Sequence, residues 1–369
     1  MSELDGKRIG DGGPANSSGL LGFLQSVSTE GSIRVEENLG DGYVRLLMSE
    51  AERRQAKHDI RCVEDIVIEL LRNSRDAGAR SIFLATTRDG DERLLTIIDD
   101  GCGIPESMHE AIFEPRVTSK LDTMVMDSWG VHGRGMALFS IISNVDEAMV
   151  MRSESGKGSA IRIKASTTSL PEKTDQSSMP ALERDEDGSL VISKGPHNIN
   201  RIAAEFAIAC KHDVDVYLGS PAEIVATLIA YGEREYDSTE LLFHDSIDDL
   251  DICRMLSACA SASELTECAL SLGLDISERT SHRILHGQIQ PLKNLYDQLS
   301  SKASSSQRVD IYKDSRALKI SPTDLETFSR KLEDAFESIS EGYYMTLLEE
   351  PKIKVGKQKI QVTFLIDKE

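Results

Sequence analysis

Between residues 63 and 76 apolar side chains recur at Val63, Ile66, Val67, Leu70 and Leu71, a helical period. Glu69, Asn73 and Asp76 fall at i, i+4 and i+7 and share a polar stripe of the same helix. The apolar face predicts burial, so the stripe should border a buried surface and not open water. Gly78 stands where such a helix would end. The pattern then becomes β-rich: Ser81–Thr86 and Leu94–Ile98, separated by Asp89, Gly90 and Asp91, predict a hairpin. Upstream, Tyr43–Leu47 reads as a strand and Ser49–His58 as a charged lead into the helix. Downstream, Ser189–Ser193 and Val214–Leu218 read as strands. Asn198–His212 predicts a helix capped by Asn198, and Pro221–Tyr231 one opened by Ser220. From about 246 to 305 the pattern is helical, with helices at Glu264–Leu272, Ser277–His286 and Pro291–Leu299. A charged helix from Pro322 to about Tyr343 precedes the strands Lys352–Val355 and Ile360–Ile366.

With 369 residues, a net charge of −20 and a pI near 4.9, the chain is acidic and long enough for several domains. No apolar run approaches the ~20 residues that span a bilayer, and the first ten residues lack the apolar segment of a signal peptide, so a cytoplasmic protein with no membrane partner is expected. Cys62, Cys102, Cys210, Cys253, Cys259 and Cys268 lack metal-site spacing and read as reduced thiols. The polar segment from Thr167 to Gly188 reads as a linker. The expected division is a flexible arm over 1–40, a core domain over 41–168, a linker over 169–188 and a small α/β module over 189–235. A helical region over 236–345 and terminal strands over 346–369 complete it.

Candidate chemistry collects at three places. The stripe of Glu69, Asn73 and Asp76 can hold a metal ion and a base. Asp99, at a strand end and followed by Asp100, Gly101, Cys102, Gly103 and Ile104, suits an adenine, because a carboxylate accepts from an exocyclic amine while glycines let a ring approach backbone. A plain turn is the alternative. Gly130, Gly133, Arg134 and Gly135, ahead of the apolar run Met136–Ile142, would place bare N–H groups and a helix N-terminus at one spot, where phosphate is the natural occupant.

The order of these motifs resembles the GHKL ATPases, shared by DNA gyrase B subunits, heat-shock chaperones of the ninety-kilodalton class, histidine kinases and MutL mismatch-repair proteins. ELLRNSRDAGA resembles the family's first box in its MutL form, IIDDGCGIP its DxGxG box, VTSK its lid segment, GVHGRGMALFSI its second glycine box and GKGSAIRI its closing strand. The resemblance spans roughly residues 60 to 165. It implies an α/β fold, a sandwich of the Bergerat type in which helices cover one face of a mixed sheet. It also implies that ATP and Mg are the cofactors. On that reading Asn73 ligates the magnesium, Glu69 deprotonates the attacking water and Asp99 holds the adenine in a pocket that includes Gly101, Gly103 and Ile104. Gly130, Gly133 and Gly135 wrap the phosphates, Lys120 and Arg134 reach them from the lid, Asp76 adjoins the nucleotide, and Ser159 supports Asp99 through its hydroxyl. Asp100, where the MutL form has Asn, would add negative charge near the nucleotide. Lys194 is the nearest candidate for the lysine that a following transducer module sends to the γ-phosphate.

The expected activity is magnesium-dependent ATP hydrolysis used as a conformational switch, with a homodimer closing around the lid as one expectation. The alternative is an ATP-gated regulator that binds DNA or a protein partner through residues 264–300, which resemble a helix-turn-helix. There Arg279, His282, Arg283 and His286 form a basic face in an acidic chain. A protein kinase of the same fold ranks last, because His58 lies only eleven residues before Glu69.

Overall fold

The structure, a computed structural model, describes residues 35–119, 125–127, 130–132, 135–185, 189–235, 247–305, 322–340, 345–355 and 360–368. It divides into two compact units, residues 1–299 and 300–369.

In chain order the first unit runs β1 (Val35–Gly40), β2 (Tyr43–Leu46), α1 (Glu50–Asp59), α2 (Val63–Asp76), β3 (Ser81–Asp89) and β4 (Glu92–Asp99). After these come β5 (Val117–Thr118), β6 (Val125–Asp127), β7 (Gly130–His132), α3 (Ala137–Ile142), β8 (Glu147–Ser153) and β9 (Ser159–Ser166). It continues with β10 (Ala181–Arg184), β11 (Leu190–Lys194), α4 (Ile199–Ala209), β12 (Asp215–Gly219), α5 (Pro221–Glu235), α6 (Ala262–Ser271), α7 (Glu278–Leu285) and the first residues of α8 (Leu295–Ser305), the helix in which the division between the units falls. The central sheet has the order β12-β3-β4-β9-β8, with β12 parallel to β3 and the other neighbours antiparallel. It is a mixed sheet flanked by helices, the ATPase sandwich that the motifs implied.

Helix α2 is stopped from unravelling at its start by Asp65, whose carboxylate accepts the backbone N–H groups of Arg61 (2.8 Å) and Cys62 (3.2 Å). Its residues Val63, Ile66, Val67, Leu70 and Leu71 are buried as the period required, and it packs on α4. Along β4 and β9 the pleat alternates. Ile97, Asp99, Ser159 and Ile161 face one side, while Ile98 and Ala160 join an apolar cluster on the other.

That second face is covered as well. Phe83 stacks on Tyr217 with ring centroids 4.8 Å apart and meets Tyr231 edge-on at 5.3 Å. Around them gather Ile224 and Leu228 of α5, Met255 and Leu256 of the 3₁₀ turn Ile252–Ala258, Leu265 of α6 and Ile284 of α7. The Thr96 hydroxyl donates to the Gly273 carbonyl at 2.7 Å, fixing the turn between α6 and α7 to the sheet. Truncating a buried aromatic such as Phe83 to Ala would cost about 3–5 kcal/mol.

Segments expected to stand apart are built into this unit. The strand expected in a separate module, β12, is the edge of the main sheet, because apolar Val216 and Tyr217 gain both ladder bonds and a buried face there. Within the stretch read as a linker, the nearly buried Glu172 carboxylate bridges Arg93 (2.7 Å) and Arg88 (2.9 Å). Within the stretch read as an arm, β1 pairs with β2; residues 1–34 lie outside the described residues.

The second unit contains helix α9 (Pro322–Ser340) and two antiparallel pairs, Met345–Leu347 with Ile366–Lys368 and Lys352–Val355 with Ile360–Thr363. Phe336 stacks on Phe364 at 5.2 Å.

Candidate functional site

A cavity of about 850 Å³ opens between α2, the ends of β4 and β9, the segment before β5, and α3. Glu69, Asn73 and Asp76 line it from α2, as the shared stripe predicts, together with Asp99, Gly103, Ile104, Gly135 and Ser159. Its size lies within the range of small-molecule sites.

Asp99 forms the best-defined part. Its side chain is buried, and Oδ2 accepts the hydroxyls of Ser74 and Ser159, each at 2.8 Å, while Oδ1 accepts the backbone N–H of Gly101 at 3.0 Å. Ser159 stands opposite Asp99 in the β4–β9 register, which is why its hydroxyl arrives there. Burial pushes the Asp99 carboxyl above the ordinary range, against the hydrogen bonds of Ser159, Ser74 and Gly101, which pull it down; the Asp100 charge adds to the rise. A carboxylate oxygen carries more than one lone pair, so Oδ1 retains accepting capacity after Gly101 is served.

Asp100 points elsewhere. Its Oδ1 accepts the backbone N–H groups of Arg80 (2.7 Å) and Ser81 (2.9 Å), and its Oδ2 accepts the Tyr231 hydroxyl at 3.1 Å. The expected charge near a nucleotide is corrected: this carboxylate staples the start of β3 to α5. Burial, with the Asp100 charge beside it, pushes the Tyr231 phenol up, so it stays a donor.

Gly101 and Gly103 are required by close approach. A Cβ on Gly103 would stand 1.9 Å from the Glu154 carbonyl oxygen, at a φ of +68° that side chains rarely adopt; one on Gly101 would stand 2.9 Å from Asp99 Oδ1. Ile104 is held by its N–H donating to Ser153 Oγ at 2.7 Å.

On α2, Glu69 Oε1 accepts from Arg72 Nη1 at 2.7 Å, and Arg72 is buried. Asp76 pairs with Arg75 at 3.0 Å. Asn73 carries a buried Nδ2 with no hydrogen-bond partner among the described residues. The same holds for Glu64 Oε2, Arg116 Nε and Ser140 Oγ, and all four residues line this cavity. Buried polar atoms are ordinarily paired, so a cluster of unpaired ones at one cavity marks a place made for a polar ligand.

Other candidates fall outside this constellation. Gly130 lies in β7, paired with β6, and the short helix α3 begins only at Ala137. Lys120, Gly133 and Arg134 lie outside the described residues. Lys194 is exposed on β11 and does not line the cavity. Arg279, His282, Arg283 and His286 are exposed on α7. On the opposite face of that helix, buried Ser281 shares a 2.7 Å hydroxyl contact with Thr266 of α6, so its small size is matched by its partner.

Sequence reasoning missed Ser74, Arg72, Glu64, Arg116 and Ser140. Ser74 and Arg72 were within reach, because they flank Asn73 on a helix already placed beside the site. Nothing in the sequence sets Ser140 apart from its apolar run.

Residues 58–169 match the family described as Histidine kinase-, DNA gyrase B-, and HSP90-like ATPase. The chain is 38% identical over 86 residues to the DNA mismatch repair protein MutL of Clostridium perfringens, a stretch covering 22% of this chain and 12% of that protein. It is 35% identical over 89 residues to the MutL of Anaplasma phagocytophilum, covering 23% of this chain and 14% of that one. With the MutL of Heliobacterium modesticaldum it shares 36% identity over 84 residues, 22% of this chain and 13% of that one. The likeness thus spans only 12% to 14% of the length of these relatives.

Proposed function

From the premise that residues 58–169 are a histidine kinase-, DNA gyrase B- and HSP90-like ATPase domain, we propose that the cavity binds ATP with magnesium. We propose further that the protein hydrolyses it as a nucleotide-driven conformational switch. The observation that carries this reading is the convergence on one cavity of a buried carboxylate with accepting capacity, a lining glycine, Gly103, that admits no side chain, and four buried polar atoms that have no partner among the described residues.

Asp99 accepts the exocyclic amine of adenine, with Ser74 and Ser159 fixing its orientation, Gly101 and Gly103 leaving room for the ring and Ile104 walling it. Asn73 offers both halves of a carboxamide, an oxygen to a magnesium ion and Nδ2 to a phosphate oxygen. Among the described residues no three His, Cys, Asp or Glu side chains cluster as a metal cage. That suits an ion held by one or two protein groups, water and substrate phosphates. Bound magnesium supplies charge neutralisation. Glu69, steadied through Oε1 by Arg72, takes the proton of the attacking water. Asp76 borders the same end of the stripe and Gly135 the phosphates, and on this proposal Gly130, Gly133, Lys120 and Arg134 are further phosphate contacts.

The test is Glu69→Ala on the full chain. Phosphate release should fall by about a hundredfold or more, the range of a lost general base, while calorimetric Mg-ATP affinity stays near that of the parent. Unchanged turnover would remove Glu69 from this role.

A second reading has its own observation: α7 presents two arginines and two histidines to solvent on a helix locked to α6 by the Ser281–Thr266 contact. In it, nucleotide occupancy gates binding of DNA through Arg279, His282 and Arg283.

A further inference from the structure

We propose that Arg116 is a polyphosphate-binding residue of the nucleotide cavity, and that it takes the phosphate chain in exchange for the carboxylate of Glu52. The inference rests on the nucleotide reading above and adds to it the cation that the described glycine-box and lid residues lack.

Three features of Arg116 coincide. First, its backbone is in the left-handed region, with φ of 61°. Among the described residues only one other non-glycine, Asp41, shares that sign. Aspartate visits this region readily, whereas for arginine it costs on the order of 1–2 kcal/mol, and such strain concentrates at ligand sites. The Arg116 N–H donates to the Gly135 carbonyl (2.9 Å) and the Arg116 carbonyl accepts the Leu46 N–H (3.0 Å), so the conformation is held from both sides. Second, the side chain is 13% exposed and its Nε is buried with no partner among the described residues. A guanidinium buried with an unused donor is expensive unless a ligand supplies the acceptor. Third, it stands at the phosphate side of the cavity by construction. A Cβ on Gly135 would fall 2.7 Å from the Val117 carbonyl and 3.2 Å from the Arg116 carbonyl carbon, so the backbones of Arg116 and that glycine lie in close contact.

Charge gives the same answer. The described cavity wall carries seven carboxylates and three arginines. Arg72 is engaged by Glu69, and the Arg61 side chain is 81% exposed and leans toward Asp65 at 3.9 Å. Arg116 is the buried arginine of the three with a nitrogen left over. Its present partner is Glu52, bound through Oε1. Glu52 uses its other oxygen to cap α1, where Oε2 accepts the Ser49 N–H at 2.9 Å and the Ser49 hydroxyl at 3.0 Å. Losing Arg116 therefore leaves Glu52 hydrogen-bonded and partly solvated, and the guanidinium can change partners without stranding a buried charge. Arginine suits this task because its planar fork pairs with carboxylate and phosphate oxygens in the same geometry.

The test compares ligands that share the base and differ in phosphate. Wild type, Arg116→Ala, Arg116→Lys and Glu52→Gln are titrated calorimetrically with adenosine and with the magnesium complex of a non-hydrolysable ATP analogue, and thermal melting monitors the fold. Arg116→Ala should lose about tenfold or more in affinity for the analogue with adenosine affinity unchanged, and Arg116→Lys should recover part of it. Glu52→Gln, which removes the competing carboxylate, should bind the analogue more tightly than wild type. Equal loss of both ligands in Arg116→Ala, or no loss, overturns the proposal. If Arg116→Ala fails to fold, Arg116→Lys binding the analogue as wild type does, together with an unaltered Glu52→Gln, overturns it equally. Wild type binding neither ligand refutes the nucleotide reading itself, which is a separate failure.

Discussion

Replacing Asp99 by Asn exchanges one oxygen for an NH₂ group and keeps the volume of the cavity floor. The variant's remaining oxygen does best between the Ser74 and Ser159 hydroxyls, where Oδ2 now takes two bonds of 2.8 Å. Its NH₂ then faces the Gly101 N–H, which Oδ1 now accepts at 3.0 Å. In the free protein one hydrogen bond is lost, worth about 1 kcal/mol, and the cost of burying a charge is lifted. Stability should change by no more than about 2 kcal/mol, a melting shift of a few degrees. For the ligand the change is larger, because the adenine amine meets a donor where it had a charged acceptor. Losing a charge-assisted bond and facing donor to donor costs about 2–4 kcal/mol, roughly 30- to 1000-fold in Kd. GTP offers a carbonyl at the same position of its ring, so the preference for ATP over GTP should shrink as ATP affinity falls. Calorimetric titration of Mg-ATP and Mg-GTP, with a melting curve for each protein, separates these effects. An Asp99→Asn variant that binds ATP within about threefold of the parent would refute the assignment of Asp99 to the base.

Other expectations come from the same geometry. Because burial raises the Asp99 pKa, ATP affinity should fall as pH is lowered through a value above the ordinary carboxylate range, and titrations of Asp99→Asn should lose that dependence. The sign for stability is opposite: the folded state holds this proton more tightly than the unfolded chain. Asp99 therefore removes stability as pH rises from its ordinary pKa to its raised one and has no further effect above it, a slope that urea melts should lose in Asp99→Asn. Gly103→Ala, with a Cβ 1.9 Å from the Glu154 carbonyl, should cost about 3 kcal/mol or more. Gly78→Ala, whose φ is also positive but whose Cβ meets nothing, should cost only about 1 kcal/mol, and equal effects in urea unfolding would contradict the clash. If α7 contacts DNA, affinity for a short duplex should fall steeply with salt, and Arg279→Ala with Arg283→Ala should reduce that slope by about two. Absence of binding at low salt removes the reading.

The parts of the site that could be read from sequence are those whose geometry is local. The α2 stripe follows from helical period alone, and Asp99 with Gly101 and Gly103 follows from a strand meeting glycines. What could not be read depends on distant pairing. Parallel addition of β12 to β3 joins residues 215 and 81, and no periodicity in either segment names the other. The covering of the second sheet face by residues 250–285 hangs on such contacts as Thr96 with Gly273. A serine at 281 looks like a poor core residue until Thr266 is seen opposite it. Glu172 reads as one more charge in a polar stretch, yet two arginines 79 and 84 positions away hold it buried.

The adjacent carboxylates Asp99 and Asp100 bring local and distant effects together. Successive residues of extended chain face opposite ways, so one strand end delivers a charge to the cavity and another to the helical layer behind it. The first must keep accepting capacity for a ligand, and the second is consumed by two backbone amides and the Tyr231 hydroxyl. Position 100 therefore offers the cavity no contact, although its charge still reaches Asp99, and most of the acidic balance there arises from the wall itself. Seven carboxylates around one cavity oppose a polyphosphate unless cations enter with it or wait for it. Under the proposed function, magnesium is the first kind. A buried guanidinium, held in a strained backbone and tied to a carboxylate that is satisfied without it, accounts for the second, and this is the arrangement found at Arg116.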